Sequence, residues 1–215
     1  DAEAAVALVG KAEFQQEAQA AQAASHVLLK NEGALLPLKA DGKRVYLHNV
    51  NAEVARANGY TVVTNLADAE LAIVRVNAPG EQDPRFPFGS IHFGQLGFAS
   101  NDQVVQETAH EGVYRGADDY AAIQAIEQAG VPLVLSVYLD RPAILTEVAP
   151  AARVLLANFG ALDQALFDVM SGTQKARGKL PFELPSSWQA VLAQSPDVAK
   201  DSQSPLYPYG AGLAY

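Results

Sequence analysis

The sequence predicts an α/β fold: a doubly wound, mostly parallel sheet of about six strands with helices on both faces, an α/β sandwich. Two observations carry this. Leu71 to Val76 (LAIVRV) is a short apolar run rich in β-branched residues, and Val131 to Leu139 (VPLVLSVYL) and Val154 to Phe159 are further mostly apolar runs, the pattern of strands covered on both faces. Between such runs lie segments of helical period closed by glycine, and alternation of strand and helix implies parallel pairing. Neither an internal repeat nor a linker divides the chain, so residues 1–215 are read as a single domain.

Ala12 to Lys30 is Ala/Gln/Glu-rich and is predicted helical, with Phe14, Ala18, Ala21, Ser25 and Leu28 inward and Asn31-Glu32-Gly33 as its stop. Leu35-Leu36-Pro37-Leu38 is extended and apolar. Arg44 to Asn49 is the first predicted strand, Ala52 to Asn58 a short helix closed by Gly59, and Thr61 to Thr64 the second strand. Leu71 to Val76 is the third. Asn101 to Glu111 and Asp118 to Gln128 read as helices, the latter ended by Gly130. After the Val131 and Val154 strands, Ala161 to Met170 is a helix stopped at Gly172, and Phe182 to Leu184 is a last short strand. The tail from Ser195 is irregular and Pro-rich.

A formal net charge of −9 opposes nucleic acid or an anionic membrane surface as partner, since both call for basic patches. No apolar run is long enough to span a bilayer. The absence of cysteine removes disulfides, thiolate metal sites and cysteine nucleophiles. The chain opens at Asp1 without an initiator Met, as a processed or cut piece would. Gly172 to Lys179 (GTQKARGK) fails as a phosphate loop, because its glycine spacing is one residue too long and Leu180 replaces the required Ser/Thr. That leaves a flavodoxin-like nucleotide binder without its glycine cradle. No GxSxG elbow is present to support a serine hydrolase.

The segment after the Leu71 strand has neither helical nor strand period for about two dozen residues, yet it carries Phe86, Phe88, Ile91, Phe93, Leu96 and Phe98. Disordered segments are poor in such residues. Glu81, Asp83, Arg85 and His92 are set among the aromatics, at the C-terminal end of an apparently parallel strand, where open α/β sheets keep ligands.

Five segments spread along the chain resemble, in the same order, the second domain of glycoside hydrolase family 3 enzymes. Ser25-His26-Val27-Leu28-Leu29-Lys30-Asn31-Glu32-Gly33, continuing to Leu38, resembles the opening SxxLLKNxxxLLPL signature. Gly178-Lys179-Leu180-Pro181-Phe182-Glu183-Leu184-Pro185 resembles GKLPFTFP, and Tyr207-Pro208-Tyr209-Gly210-Ala211-Gly212-Leu213-Ala214-Tyr215 resembles YPFGxGLSY. Arg141-Pro142 and Asn158-Phe159-Gly160 stand where the family has its RP and its glycine before a helix.

The resemblance implies a retaining, exo-acting β-glycosidase of two domains: a (β/α)8 barrel bearing an aspartate nucleophile, and an α/β sandwich covering the barrel's mouth. It implies the N-terminal barrel of the same parent protein as partner, a β-linked glucoside or oligosaccharide as substrate, no cofactor, and a periplasmic or secreted location. In many members the sandwich supplies the general acid/base from a loop after a sheet strand. Laying Ala72-Ile73-Val74 on that strand puts Glu81 in that place, with Asp83 as substitute. Arg85, Phe86, Phe88 and His92 are the candidate substrate-binding residues.

Each has a plainer alternative. Glu81 is also what a solvated loop residue looks like; Phe86 and Phe88 equally form a small core holding the loop, and His92 satisfies local backbone. The alternative function is a non-catalytic stabilising or carbohydrate-contacting module. Glu107, His110 and Glu111 read as a solvated helix face rather than a metal site, and Asp118-Asp119 as an N-cap pair. Arg141 is expected to be an ion-pair partner, with Pro142 opening a helix.

Overall fold

The computed structural model describes residues 5, 6, 8–82, 96–99, 113–115 and 117–215. Its elements in order are α1 (Ala12–Ser25), β1 (Val27–Asn31), β2 (Arg44–His48), α2 (Ala52–Ala57), β3 (Thr61–Val63), β4 (Leu71–Asn77), β5 (Gly80–Gln82), β6 (Val113–Arg115), α3 (Ala117–Gln128), β7 (Leu133–Tyr138), β8 (Val154–Asn158), α4 (Asp163–Ser171) and α5 (Trp188–Leu192). Six strands form the main sheet in the order β1-β8-β7-β4-β2-β3. Every pairing in it is parallel except β1 with β8.

The central strands are buried almost end to end, as their mostly apolar sequences require. Successive side chains point to opposite faces. Ala72, Val74 and Val76 of β4, with Leu133, Leu135 and Val137 of β7, therefore join one core, which Ile123 and Ile126 of α3 and the later residues Leu180 and Leu184 cover. Leu71 and Ile73, with Val134, Val154 and Leu156, face the other core. Ala23 of α1, Ala55 of α2, and Ala165, Leu166, Val169 and Met170 of α4 cover that side. Asn51 starts α2 by accepting the N–H of Glu53, and Gly172, at φ 78°, ends α4 in the left-handed conformation a side chain resists.

Several expectations are corrected here. The first predicted helix ends at Ser25, and residues 27–31 are a strand. His26 turns the chain with ψ 137°, its N–H reaching Ala23 O and its ring Nδ1–H donating to Gln22 O at 3.0 Å. The predicted inner stripe is also displaced: Phe14 is half exposed, and the buried helix residue is Ala23. Alanine at nearly every turn gives α1 no clear apolar face. It packs beside α4 through Ala23 and adds polar contacts, Gln19 Nε2–H to Asp168 Oδ2 at 2.7 Å and Leu162 N–H to Gln22 Oε1 at 2.8 Å. Phe182 to Leu184, expected as the last strand, contributes one bridge between Leu184 and Tyr207. The sixth strand of the sheet is β1.

The expected helix Asn101 to Glu111, and with it Glu107, His110 and Glu111, lies outside the described residues. Pro142 does not open a helix; turns follow it. Among the described residues no helix is long and apolar enough to cross a membrane.

Candidate active-site edge

Counted in chain order, the parallel strands β2, β3, β4, β7 and β8 lie in the flavodoxin-like order 2-1-3-4-5. The chain leaves β2 toward α2 on one face and leaves β4 toward α3 on the other. The connections diverge between these neighbouring strands, which opens a crevice beyond their C-terminal ends. A cavity of ≈ 270 Å³ occupies this place, lined by Asn49, Arg75, Val76, Asn77 and Tyr138.

Its walls are braced by charge. Asp119 Oδ1 meets His48 Nε2 at 2.7 Å and accepts Asn49 Nδ2–H at 2.8 Å, while Asn49 also donates to Arg75 O at 3.1 Å. Asp119 thus stands inside the first turn of α3 and ties it to the end of β2, where the sequence suggested only an N-cap. Arg75 pairs with Asp163 of α4 and donates from Nη2 to Ala161 O at 2.5 Å; Asp163 Oδ2 also accepts the N–H of Asn51 at 2.8 Å. Both partners of the pair are largely buried, their side chains 20% and 16% exposed.

β4 continues directly into the segment that the sequence singled out. Ala78 N–H donates to Tyr138 O at 2.8 Å, and Ala78, Pro79 and Gly80 are buried. β5 then pairs antiparallel with β6: Gly80 opposite Arg115, Glu81 opposite Tyr114, Gln82 opposite Val113. The backbone of Glu81 therefore occupies the middle of a short two-stranded ribbon rather than irregular loop. Its partner strand lies some thirty residues on, so no local period could announce the pairing. Asp83, Arg85, Phe86, Phe88 and His92 lie outside the described residues.

Beside the ribbon's base runs a groove of ≈ 580 Å³, lined among others by Leu96, Arg141, Phe182, Glu183, Lys200 and Tyr209. Lys200 Nζ stands 3.7 Å from the centre of the Tyr209 ring, and Glu183 Oε2 accepts the N–H of Ser202 at 3.0 Å. Among the described residues no group of His, Asp or Glu is gathered to hold a metal ion.

A model of the glycosyl hydrolase family 3 C-terminal domain matches residues 26–215. The chain belongs to this family. It is 41% identical over 211 residues to the periplasmic beta-glucosidase/beta-xylosidase of Dickeya chrysanthemi, a match covering 97% of this chain and 29% of that protein. It is 36% identical over 217 residues to the probable beta-glucosidase C of Aspergillus oryzae, covering 100% of this chain and 31% of that protein. The chain thus spans less than a third of either relative. The crystal structure of the beta-glucosidase from Listeria innocua in complex with isofagomine shares the fold at TM-score 0.69 and 17% identity, over 96% of this chain and 34% of that one. A mutant exo-1,3/1,4-beta-glucanase from a Pseudoalteromonas species does so at TM-score 0.65 and 21% identity, over 96% and 37%.

The signature segments of this family 3 domain form a joint in the fold. Gly178 N–H donates to His26 O at 3.0 Å, Leu180 N–H to Ala211 O at 2.9 Å, and Leu213 N–H to Leu28 O at 2.7 Å. Three stretches far apart in sequence meet along the edge strand β1. Arg141, of another of these segments, instead donates to Pro79 O just beyond β4.

Proposed function

We propose that this chain is the second domain of a retaining, exo-acting β-glycosidase, with Glu81 as general acid/base against a nucleophile on a barrel domain of the same parent protein. Membership of family 3 and relatives named as beta-glucosidases support the reaction class. The single observation that supports this role for Glu81 is its position on the short ribbon that directly follows β4, beyond the C-terminal end of the parallel strands. Retaining hydrolysis needs two carboxyl groups about 5–5.5 Å apart, one to attack C1 and one to protonate the leaving oxygen and later activate water. A backbone held by strand pairing suits the second task, because a proton donor works only when kept within hydrogen-bond reach of the glycosidic oxygen. The substrate is a β-linked glucoside or short oligosaccharide. The chain by itself, lacking the nucleophile, hydrolyses none.

The test is Glu81→Gln in the full-length parent enzyme. A lost proton donor lowers turnover by about 100-fold or more on substrates with poor leaving groups and far less on activated aryl glycosides. Unchanged turnover per folded molecule on both would make the domain a stabilising or carbohydrate-contacting module instead. Glycosidase turnover by the isolated chain would overturn the two-domain reading.

A further inference from the structure

One short stretch, Arg141 to Glu147, touches both ends of the excursion that carries Glu81. At the outgoing end, Arg141 Nη2 donates to Pro79 O at 2.7 Å, two residues before Glu81. At the returning end, Ile144 N–H donates to Leu96 O at 2.9 Å and Ile144 bridges Gly97 in parallel. One turn further on, the Glu147 carboxylate accepts the N–H of Phe98. Phe98 itself is 1% exposed and is buried in the same core as Leu139, Ala143, Leu145 and Val148. The stretch is fixed in turn from behind: it follows β7 directly, and Thr146 Oγ1 donates to Ser186 O at 2.7 Å.

The Glu147 carboxyl is shared between its own amide and that of Phe98. Glu147 is half-buried, its Oε2 has no hydrogen-bond partner among the described residues, and burial pushes its carboxyl above the usual carboxylate range, with the N–H groups of Glu147 and Phe98 pulling partly back. A backbone amide in a buried return needs an acceptor, and a carboxylate gives a stronger bond than a neutral group would.

We propose that Arg141 and Glu147 are positioning residues that clamp the Glu81-bearing excursion by its two ends, Arg141 through Pro79 O and Glu147 through Phe98 N–H. The clamp rests on the reading of Glu81 as general acid/base. Neither residue touches substrate in this scheme; Arg141 holds the ribbon's base at Pro79 and Glu147 holds the returning segment at Phe98, both against the stretch that follows β7. Displacing a reacting group by an ångström costs about 100-fold in rate.

The test uses the full-length parent enzyme with Glu147→Ala, Glu147→Gln and Arg141→Met, each alone and combined with Glu81→Gln. Glu147→Ala and Arg141→Met are expected to lower kcat about 10- to 100-fold on poor leaving groups with KM little changed. Glu147→Gln, which still offers Phe98 N–H an oxygen, should restore most of that loss. In the Glu81→Gln background the same substitutions should change turnover less than about threefold, since their effect passes through Glu81. Amide exchange at Phe98 should quicken at least about tenfold in Glu147→Ala while the central strands keep their protection, a readout that holds even if the alanine variant is less stable. A loss of turnover that merely follows the unfolded fraction, or a full additional loss on top of Glu81→Gln, overturns the clamp. If Glu81→Gln is itself neutral, the acid/base reading fails first and the clamp falls with it; if Glu81→Gln is severe and Glu147→Ala is neutral, only the clamp falls.

Discussion

Gly178 rests against the backbone of His26. A Cβ at Gly178 would lie 2.4 Å from Ser25 O and 2.8 Å from His26 O, with Val27 Cγ2 at 2.9 Å. The obstacles are main-chain carbonyls at the corner between α1 and β1, which cannot swing aside. Gly178→Ala is therefore expected to destabilise the domain by about 1–3 kcal/mol, the usual cost of overpacking. Denaturant midpoints at unchanged slope check it; a midpoint equal to the parent's would mean that the corner gives way freely.

Arg75 and Asp163 brace the end of β4 against α4. Breaking a largely buried pair leaves a charge uncompensated, so Arg75→Met alone should cost about 3 kcal/mol. Asp163→Asn keeps an acceptor for the Asn51 N–H, which makes it the cleaner second arm. The double variant should lose less than the sum of the two, with a coupling of about 1–3 kcal/mol from a denaturation cycle. Strict additivity would place the pair among the ion pairs that contribute nothing.

His26 is 1% exposed, and burial holds its imidazole below the usual histidine range, against the opposing pull of the Gln22 and Ala23 carbonyls and with Arg75 adding to the lowering. The unfolded chain then binds a proton that the native chain refuses. Stability from this group is complete above the unfolded pKa of about 6.5 and is lost as the pH falls toward the depressed folded value, by at most ~1.4 kcal/mol per pH unit. Melting curves between about pH 7.5 and 5 should fall more steeply for the parent than for His26→Gln. Parallel curves would show that His26 titrates alike in both states.

Ser136 of β7 and Asn158 of β8 are diagonal neighbours, both fully buried, with Asn158 Nδ2 donating to Ser136 Oγ at 3.0 Å and Asn158 Oδ1 accepting Gly160 N–H at 3.2 Å. Ser136→Ala strands one of the amide's donors in the core and should cost about 1–3 kcal/mol. Calorimetry of the variant measures it, and no change in melting temperature would imply that another acceptor takes over.

The centre of the fold was legible because β4, β7 and β8 are covered on both faces, and continuous burial writes itself as continuous apolar sequence. β1 was not: Val27-Leu28-Leu29 follows an alanine-rich helix with neither Gly nor Pro between them, and its pairing with Leu156 and Ala157 is remote. Helical propensity ran through the corner, and tertiary pairing overrode it. Glu81 was expected on an irregular loop beyond β4, whereas the ribbon that holds its backbone depends on Tyr114, beyond any local window. Arg141 and Glu147 were invisible as loop anchors for the same reason. Their partners, Pro79 O and Phe98 N–H, are backbone groups, and a backbone group leaves no letter in the sequence.

The edge strand carries a consequence for synthesis on the ribosome. β1 is made long before its neighbour β8, and longer still before the outer cap that Leu213 N–H places on Leu28 O. Until those arrive a run of Val-Leu-Leu waits unpaired, the kind of strip on which nascent chains stick to one another or to a chaperone. Nascent chains halted before Leu206 should accordingly remain open to protease at residues 27–31, and emergence of residues 206–215 should be the event that closes them.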